Sequence, residues 1–166
     1  SATATTGDIT DSGNLTITGA ATFITGVDES NIVLDSSGNA FSNSVEMRAD
    51  AGGEDFGNIT FVDSAGIDFA TSAGSNGDLF INSSTDGTVG GNLSVTATTG
   101  NITDTVAVVT TGSSTSSFTT SATNGTIDLS TPASLAGAVT INTTGASGHA
   151  TIDNGTTALI IAASSI

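Results

Sequence analysis

A chain of 166 residues with a single cation, Arg48, and sixteen acids carries a formal net charge of −15. That balance excludes nucleic-acid binding, which needs clustered Lys and Arg to displace phosphate counterions, and disfavours an anionic membrane surface for the same reason. With no Cys there are no disulfides, no thiolate catalysis and no thiolate metal sites.

The elements follow in chain order as short alternating runs. They begin with LTITG at Leu15, ATFITG at Ala21, NIVLDSSG at Asn31 and NSVEM at Asn43. NITFVDS at Asn58, GIDFATS at Gly66, GDLFINS at Gly77 and GNLSVTATTG at Gly91 come next, then VAVVTTG, SSFTTSA, GTIDLST, GAVTINTTG, ATIDNG and ALIIAAS. Each alternates apolar with polar residues and is bounded by Gly, Asn, Asp or Ser, which is the signature of a strand. The residues that dominate them, Thr, Val, Ile and Phe, suit a pleated surface, while strong helix formers are scarce. Alternation also argues against disorder, despite the charge and the 4% aromatic content. The longest apolar run, ALIIAA at 158–163, is far too short to span a bilayer. Residues 1–12 lack the regions of a signal peptide, so a mature chain or a slice of a longer one is expected.

SATATTGDITDS at the start returns as SVTATTGNITDT at 94–105. Phe23, Ile32 and Leu34 then align with Phe118, Ile127 and Leu129. Phe41, Val45 and Met47 align with Leu135, Val139 and Ile141, and Val62–Asp63 with Ile152–Asp153. The expectation is an all-β chain with a weak internal repeat of about 93 residues, folded as a parallel β-helix (β-solenoid) of coils of roughly 20 residues. Residues 1–93 form the first module and 94–166 a second, incomplete module of one continuous solenoid. Eight such coils would make a rod of roughly 40 Å at the spacing of paired strands. Antiparallel β-sandwich repeats are the alternative. The inward set is Leu15, Ile17, Phe23, Ile32, Leu34, Phe41, Val45, Met47, Ile59, Phe61, Ile67, Phe69, Leu79 and Ile81.

No enzyme constellation stands up. His149 has Asp153 nearby, but Ser is so abundant that a Ser/His coincidence says nothing about a triad. Paired acids occur at Asp28–Glu29 and Glu54–Asp55, yet without Trp or Tyr there is no sugar platform for glycosidase chemistry. The densest acidic stretch, EMRADAGGED, places Asp50, Glu54 and Asp55 around a Gly-rich turn, the donor chemistry of a Ca²⁺ site. The bland reading is a solvated loop in which Arg48 screens its acidic neighbours. The T-x-T triplets at Thr3–Thr5, Thr16–Thr18 and Thr96–Thr98 suggest an ice-binding face if the coils bring them into one array. Eight Asn-x-Ser/Thr sequons, beginning at Asn14 and Asn58, follow from composition.

The strings GNLSVTATTGNITD and GDITDSGNLTITGAATFITG, with NIVLDSSGNAFSNSVEM at 31–47, resemble the repeat arrays of filamentous-haemagglutinin-like bacterial surface adhesins. The likeness is close over 1–47 and 91–105, and the second module departs from it at VAVVTTGSSTSSFTTSATNG. The resemblance implies a right-handed parallel β-helix, export to the cell surface and a role in attachment or matrix. The expected function is therefore a non-enzymatic extracellular stalk or filament segment, with homotypic association into fibres through uncapped pairing edges. A surface or glycan receptor is a further expected partner, and no cofactor is expected unless Ca²⁺ is bound. A calcium-dependent binding module and an ice-binding solenoid are the alternatives.

Overall fold

The computed structural model describes residues 1–27, 29–49, 57–70, 78–81, 88–89, 91–110 and 113–166, the side chains of 78–81 and 88–89 excepted. All the regular structure in them is β. The first coils run β1 (Ala2–Ala4), β2 (Ile9–Thr10), β3 (Thr16–Ile17), then β4 (Ala21–Thr25), β5 (Ile32–Leu34) and β6 (Ala40–Phe41). β7 (Val45–Arg48), β8 (Ile59–Asp63), β9 (Ile67–Phe69), β10 (Asp78–Ile81) and β11 (Thr88–Val89) form the middle. The last coils are β12 (Leu93–Ala97), β13 (Ile102–Asp104) and β14 (Val109–Thr110), followed by β15 (Ser116–Thr123), β16 (Thr126–Leu129) and β17 (Ser134–Leu135). β18 (Ala138–Thr144), β19 (His149–Ile152) and β20 (Ile160–Ile161) complete the stack.

Every pairing among these strands is parallel. An eight-stranded sheet has the order β1-β4-β7-β10-β9-β13-β16-β19, and a seven-stranded sheet the order β2-β5-β8-β12-β15-β18-β20. Short sheets β3-β6 and β11-β14-β17 close the third side. This is a β-solenoid of about six coils of about 24 residues, so the coils are longer and fewer than the 20-residue estimate. The excess lies in the corners: counting strand lengths alone overlooks the turn residues each coil needs. Seven stacked rungs span roughly 29 Å rather than 40 Å. The antiparallel alternative falls with the parallel register.

The alternation read from the sequence sends one face of each strand inward. Ile9, Ile32, Ile59, Leu93, Ser116, Val139 and Ile161 stand in register across the seven-stranded sheet. Beside them run Leu34, Phe61, Val95, Phe118 and Ile141. Phe23 meets Phe41 edge-on at 6.3 Å, and Phe41 meets Phe61 at 5.1 Å. Of the expected inward set, Phe23, Ile32, Leu34, Phe41, Val45, Met47, Ile59, Phe61, Ile67 and Phe69 are buried, and Leu15 and Ile17 pack partly buried against them. The side chains of Leu79 and Ile81 lie outside the described residues. Full burial of one such residue stabilises the stack by roughly 1.5–3 kcal/mol.

The sequence repeat returns as a repeat of pairings. Ile9 sits opposite Ile32 as Ile102 sits opposite Ile127. Phe23 sits opposite Met47 as Phe118 opposite Ile141, and Leu34 opposite Phe61 as Leu129 opposite Ile152. β1–β8 thus correspond to β12–β19, but with the long sheets exchanged. β1, β4 and β7 lie in the eight-stranded sheet, whereas β12, β15 and β18 lie in the seven-stranded one. The exchange occurs at β9 and β10, whose order in the sheet inverts their order in the chain. One alignment needs correction. Asp63 points inward and Ile152 packs inward on Leu129, so Asp63 corresponds to Asn154 and Phe61 to Ile152, not Val62 to Ile152. A slip of one residue in a strand swaps faces.

Candidate functional site

The most ordered polar feature is a ladder at the corner that leads into the seven-stranded sheet. The Asp8 carboxylate accepts the Asn31 backbone N–H at 2.7 Å, 23 residues on. The Asn31 side-chain oxygen accepts the Asn58 N–H at 2.9 Å after 27 residues, and that of Asn58 accepts the Asn92 N–H at 2.8 Å after 34. Asn92 accepts the Thr115 N–H at 2.8 Å after another 23. Asn58 Nδ2 also donates to Asn31 Oδ1 at 2.8 Å. A corner N–H has no strand partner of its own, so each side chain satisfies a donor that would otherwise be left to water. At two ladder positions, Asn58 and Asn92, the preceding residue must be small, because the coils touch there. A Cβ on Gly57 would collide with the Ser30 carbonyl oxygen, and one on Gly91 with that of Gly57. The local rule is therefore Gly for close approach, Asn for the ladder and Ile or Leu for the core. It is written at Gly57–Asn58–Ile59, Gly91–Asn92–Leu93 and Gly100–Asn101–Ile102, where Asn101 likewise accepts the Thr126 N–H at 2.9 Å. Read from the sequence, these were strand punctuation and sequons. The G-N-[IL] triplet recurs at these three ladder positions, and the side-chain nitrogens of Asn58 and Asn154 donate to Asn31 Oδ1 and to the Leu135 carbonyl.

Acids form a second set at the other corners, with Asp63 buried and Asp11 and Asp104 partly so. Asp63 is 1% exposed. Its Oδ1 accepts the N–H groups of Phe41 and Ala65, each at 3.3 Å, while Oδ2 has no partner. Burial pushes its carboxyl above the ordinary range against the pull of those donors. Asp104 is raised by burial too, with the charge of Asp128 adding to it, and its Oδ2 also lacks a partner. Asp11 goes the other way. Burial raises it, but donors from Asn39, Ser36 and Asp35 outweigh that and hold it below its usual value.

Asp50, Glu54 and Asp55 lie outside the described residues, and among the described residues no group of three or more potential metal-ligating side chains occurs. Arg48 pairs with Glu46 at 3.2 Å. His149 is exposed, with Nδ1 3.3 Å from the Ser147 carbonyl, and Asp153 accepts the N–H of Gly155 at 2.8 Å instead of meeting the imidazole. The triplets at Thr3–Thr5, Thr16–Thr18 and Thr96–Thr98 fall on β1, β3 and β12, in three different sheets. What the seven-stranded sheet does present outward is a two-column array: Thr60, Ser94, Ser117 and Thr140 in one column, Val62, Thr96, Thr119 and Asn142 in the other. S-x-T and T-x-N spacings hid it from a search for T-x-T. No helix among the described residues is long and apolar enough to cross a membrane.

Stacked parallel coils, side-chain ladders and a repeated pairing register define a repeat-containing β-solenoid protein. Residues 1–48, from β1 through β7, match a family model described as repeats of unknown function (DUF5649). No curated protein and no solved structure matches the chain.

Proposed function

We propose that the chain is a structural, non-enzymatic rod segment of an extracellular bacterial surface adhesin or matrix fibre, working as a stalk or filament that holds other parts at a distance. The observation that carries this reading is the continuous inward column of the seven-stranded sheet, from Ile9 to Ile161, together with the corner ladder. Both act along the stack axis, and both build stiffness rather than a reactive centre. The acidic surface keeps such rods soluble and apart at low salt. Displayed on a bacterial surface between an anchor and a terminal tag, the chain should hold the tag out in proportion to the number of coils. Duplicating coils should raise accessibility of the tag to a bulky antibody, whereas changing outward residues should not. Reach that ignores coil number would remove the stalk reading.

A second reading rests on the outward Ser/Thr array, whose rows repeat at the strand spacing of about 4.8 Å and offer a flat hydroxyl face to an ordered surface such as ice. Thermal hysteresis that disappears on Thr96→Tyr and Thr119→Tyr would favour that reading over the stalk. The calcium-dependent module remains as a proposal for Asp50, Glu54 and Asp55, read by a Ca²⁺-dependent shift of several degrees in Tm.

A further inference from the structure

We infer that the outward face of the seven-stranded sheet is where a second copy of this chain packs, side by side, across β5, β8, β12, β15 and β18. The contact uses rungs inside the stack alone. It deepens the rod reading, on which it rests, by naming the partner of the rod and the face that meets it.

The two long sheets differ in charge on their outer faces. On the eight-stranded sheet, Glu46 and Arg48 stand outward on β7, Asp68 on β9, Asp128 on β16 and His149 on β19. The outward residues of β5 and β8 are Val33, Thr60 and Val62, and those of β12, β15 and β18 are Ser94, Thr96, Ser117, Thr119, Thr140 and Asn142. None of these is charged, and Asp8 and Asp35 lie at the corners beside β2 and β5. Copying one module into the other does not produce this sorting, because the modules exchange sheets. β7 carries Glu46 and Arg48 on the eight-stranded sheet, where its counterpart β18 on the seven-stranded one carries Thr140 and Asn142. β16 carries Asp128 where its counterpart β5 carries Val33. Asp153, just past β19, stands where Val62 stands on β8. Charge follows the face of the assembled stack and not the place in the repeat, so the neutral face is a property of the rod.

A second copy is the partner that this chemistry fits. Each chain carries −15, and its one Arg or Lys, Arg48, lies on the other sheet, so copies cannot approach through paired charges. Stacked sheets lie about 10 Å apart. With the two neutral faces together, the acids of the two eight-stranded sheets stay about 30 Å apart, several Debye lengths at physiological salt. Ser and Thr hydroxyls and the Asn amide both donate and accept, so the face is complementary to itself, as a twofold contact requires. Side chains this short let two pleated faces interdigitate. Five strands, mostly with two outward residues each, bury about 400 Å² per copy, half of a standard interface. One segment therefore pairs weakly, with a Kd on the order of 1 mM, and a longer run of coils multiplies the contact.

Sedimentation equilibrium of the full chain tests this. The weight-average mass should climb from 16.0 kDa toward twice that value as concentration passes about 1 mM. Added salt should bring the rise to lower concentration, because it screens the remaining repulsion. Amide NMR shifts that move with concentration should map to β8, β12, β15 and β18. The double variant Thr96→Glu, Thr119→Glu sets two carboxylates in the centre of the neutral face and should keep the monomer mass, and Ser117→Glu alone should weaken the pairing. Thr126→Glu adds its charge to the eight-stranded sheet instead, opposite His149, and should associate as the parent chain does. Melting curves near that of the parent chain show that the variants are folded. A parent chain that stays monomeric at every concentration and salt, or a double variant that associates as the parent does, overturns the inference. Thermal hysteresis from the monomer that is lost in the double variant would do the same and give the face to ice. The rod reading is judged separately, by the reach of the displayed tag.

Discussion

The two modules share one pairing register and differ in how they treat their buried polar groups. In the first, Asn39 is fully buried, accepts the Leu15 N–H at 2.8 Å and donates to Asp11 Oδ2 at 2.7 Å. In the second, the position of Asn39 is Ala133, and the counterpart of Asp11, Asp104, has an Oδ2 without a donor. The carboxyl of Asp11 is accordingly lowered and that of Asp104 raised. The reverse contrast holds at the next corner. Asn154 accepts the Leu135 N–H at 2.7 Å and returns a bond to the Leu135 carbonyl at 3.2 Å, whereas its counterpart Asp63 accepts the Phe41 N–H at 3.3 Å and has nothing to donate. The apolar columns fix the fold in both modules, and the corners are where they have diverged.

Truncating the matched phenylalanines probes the columns and carries the largest expected effect. Phe118 lies between Val95 and Ile141 and is fully buried, so Phe118→Ala should cost about 5 kcal/mol, the upper end for such changes. Phe23 is covered on one side only by Ala2, and Phe23→Ala should cost about 3 kcal/mol. Chemical denaturation of both variants measures the gap. Equal losses would mean that the ends of the stack are as tightly held as its middle.

The columns were legible in the sequence because period-two alternation is a direct record of which side chains face the core. Leu34, Phe61 and Phe118 could be placed without coordinates. Coil length was less legible, since corner residues such as Ser36 and Asn39 carry no alternation and read as generic turn. The polar devices were hidden for a different reason. Asn31, Asn58 and Asn92 are separated by 27 and 34 residues, and unequal coil lengths defeat any search at a fixed period. Val62–Asp63 and Ile152–Asp153 look alike as pairs in the sequence, and only the inward direction of Ile152 shows that Asp63 corresponds to Asn154.

The contrast at the first corner can be broken with Asn39→Ala, which makes the first module resemble the second. The Leu15 N–H and the Asp11 carboxylate both lose a partner, for a cost of about 2–3 kcal/mol. The carboxyl of Asp11 should also move up toward the behaviour of Asp104. Carbon-detected NMR titration of Asp11 reads this directly. An Asp11 that stays depressed in the variant would assign its shift to Ser36 and Asp35 alone.

The smallest effect is expected at the second corner, and its sign is the informative part. Asp63 has a folded pKa raised above the unfolded value of about 3.9. Its contribution to stability is therefore fully present below that value and is lost as pH rises through the folded pKa. Asp104 acts in the same direction, while Asp11, lowered in the fold, contributes above about pH 3.9 and loses its contribution as pH falls through its folded pKa. Asp63→Asn keeps an oxygen for the Phe41 N–H and removes a buried charge that lacks a second partner. It also supplies the amide donor that Asn154 already uses on the carbonyl of Leu135, the counterpart of Phe41. The variant should melt a few degrees higher at neutral pH, and its Tm should climb less than that of the parent chain on acidification. A lower Tm at neutral pH would mean that the Asp63 carboxylate is held by a compensating group in the stack, and the two corners would then differ by design rather than by the absence of an amide.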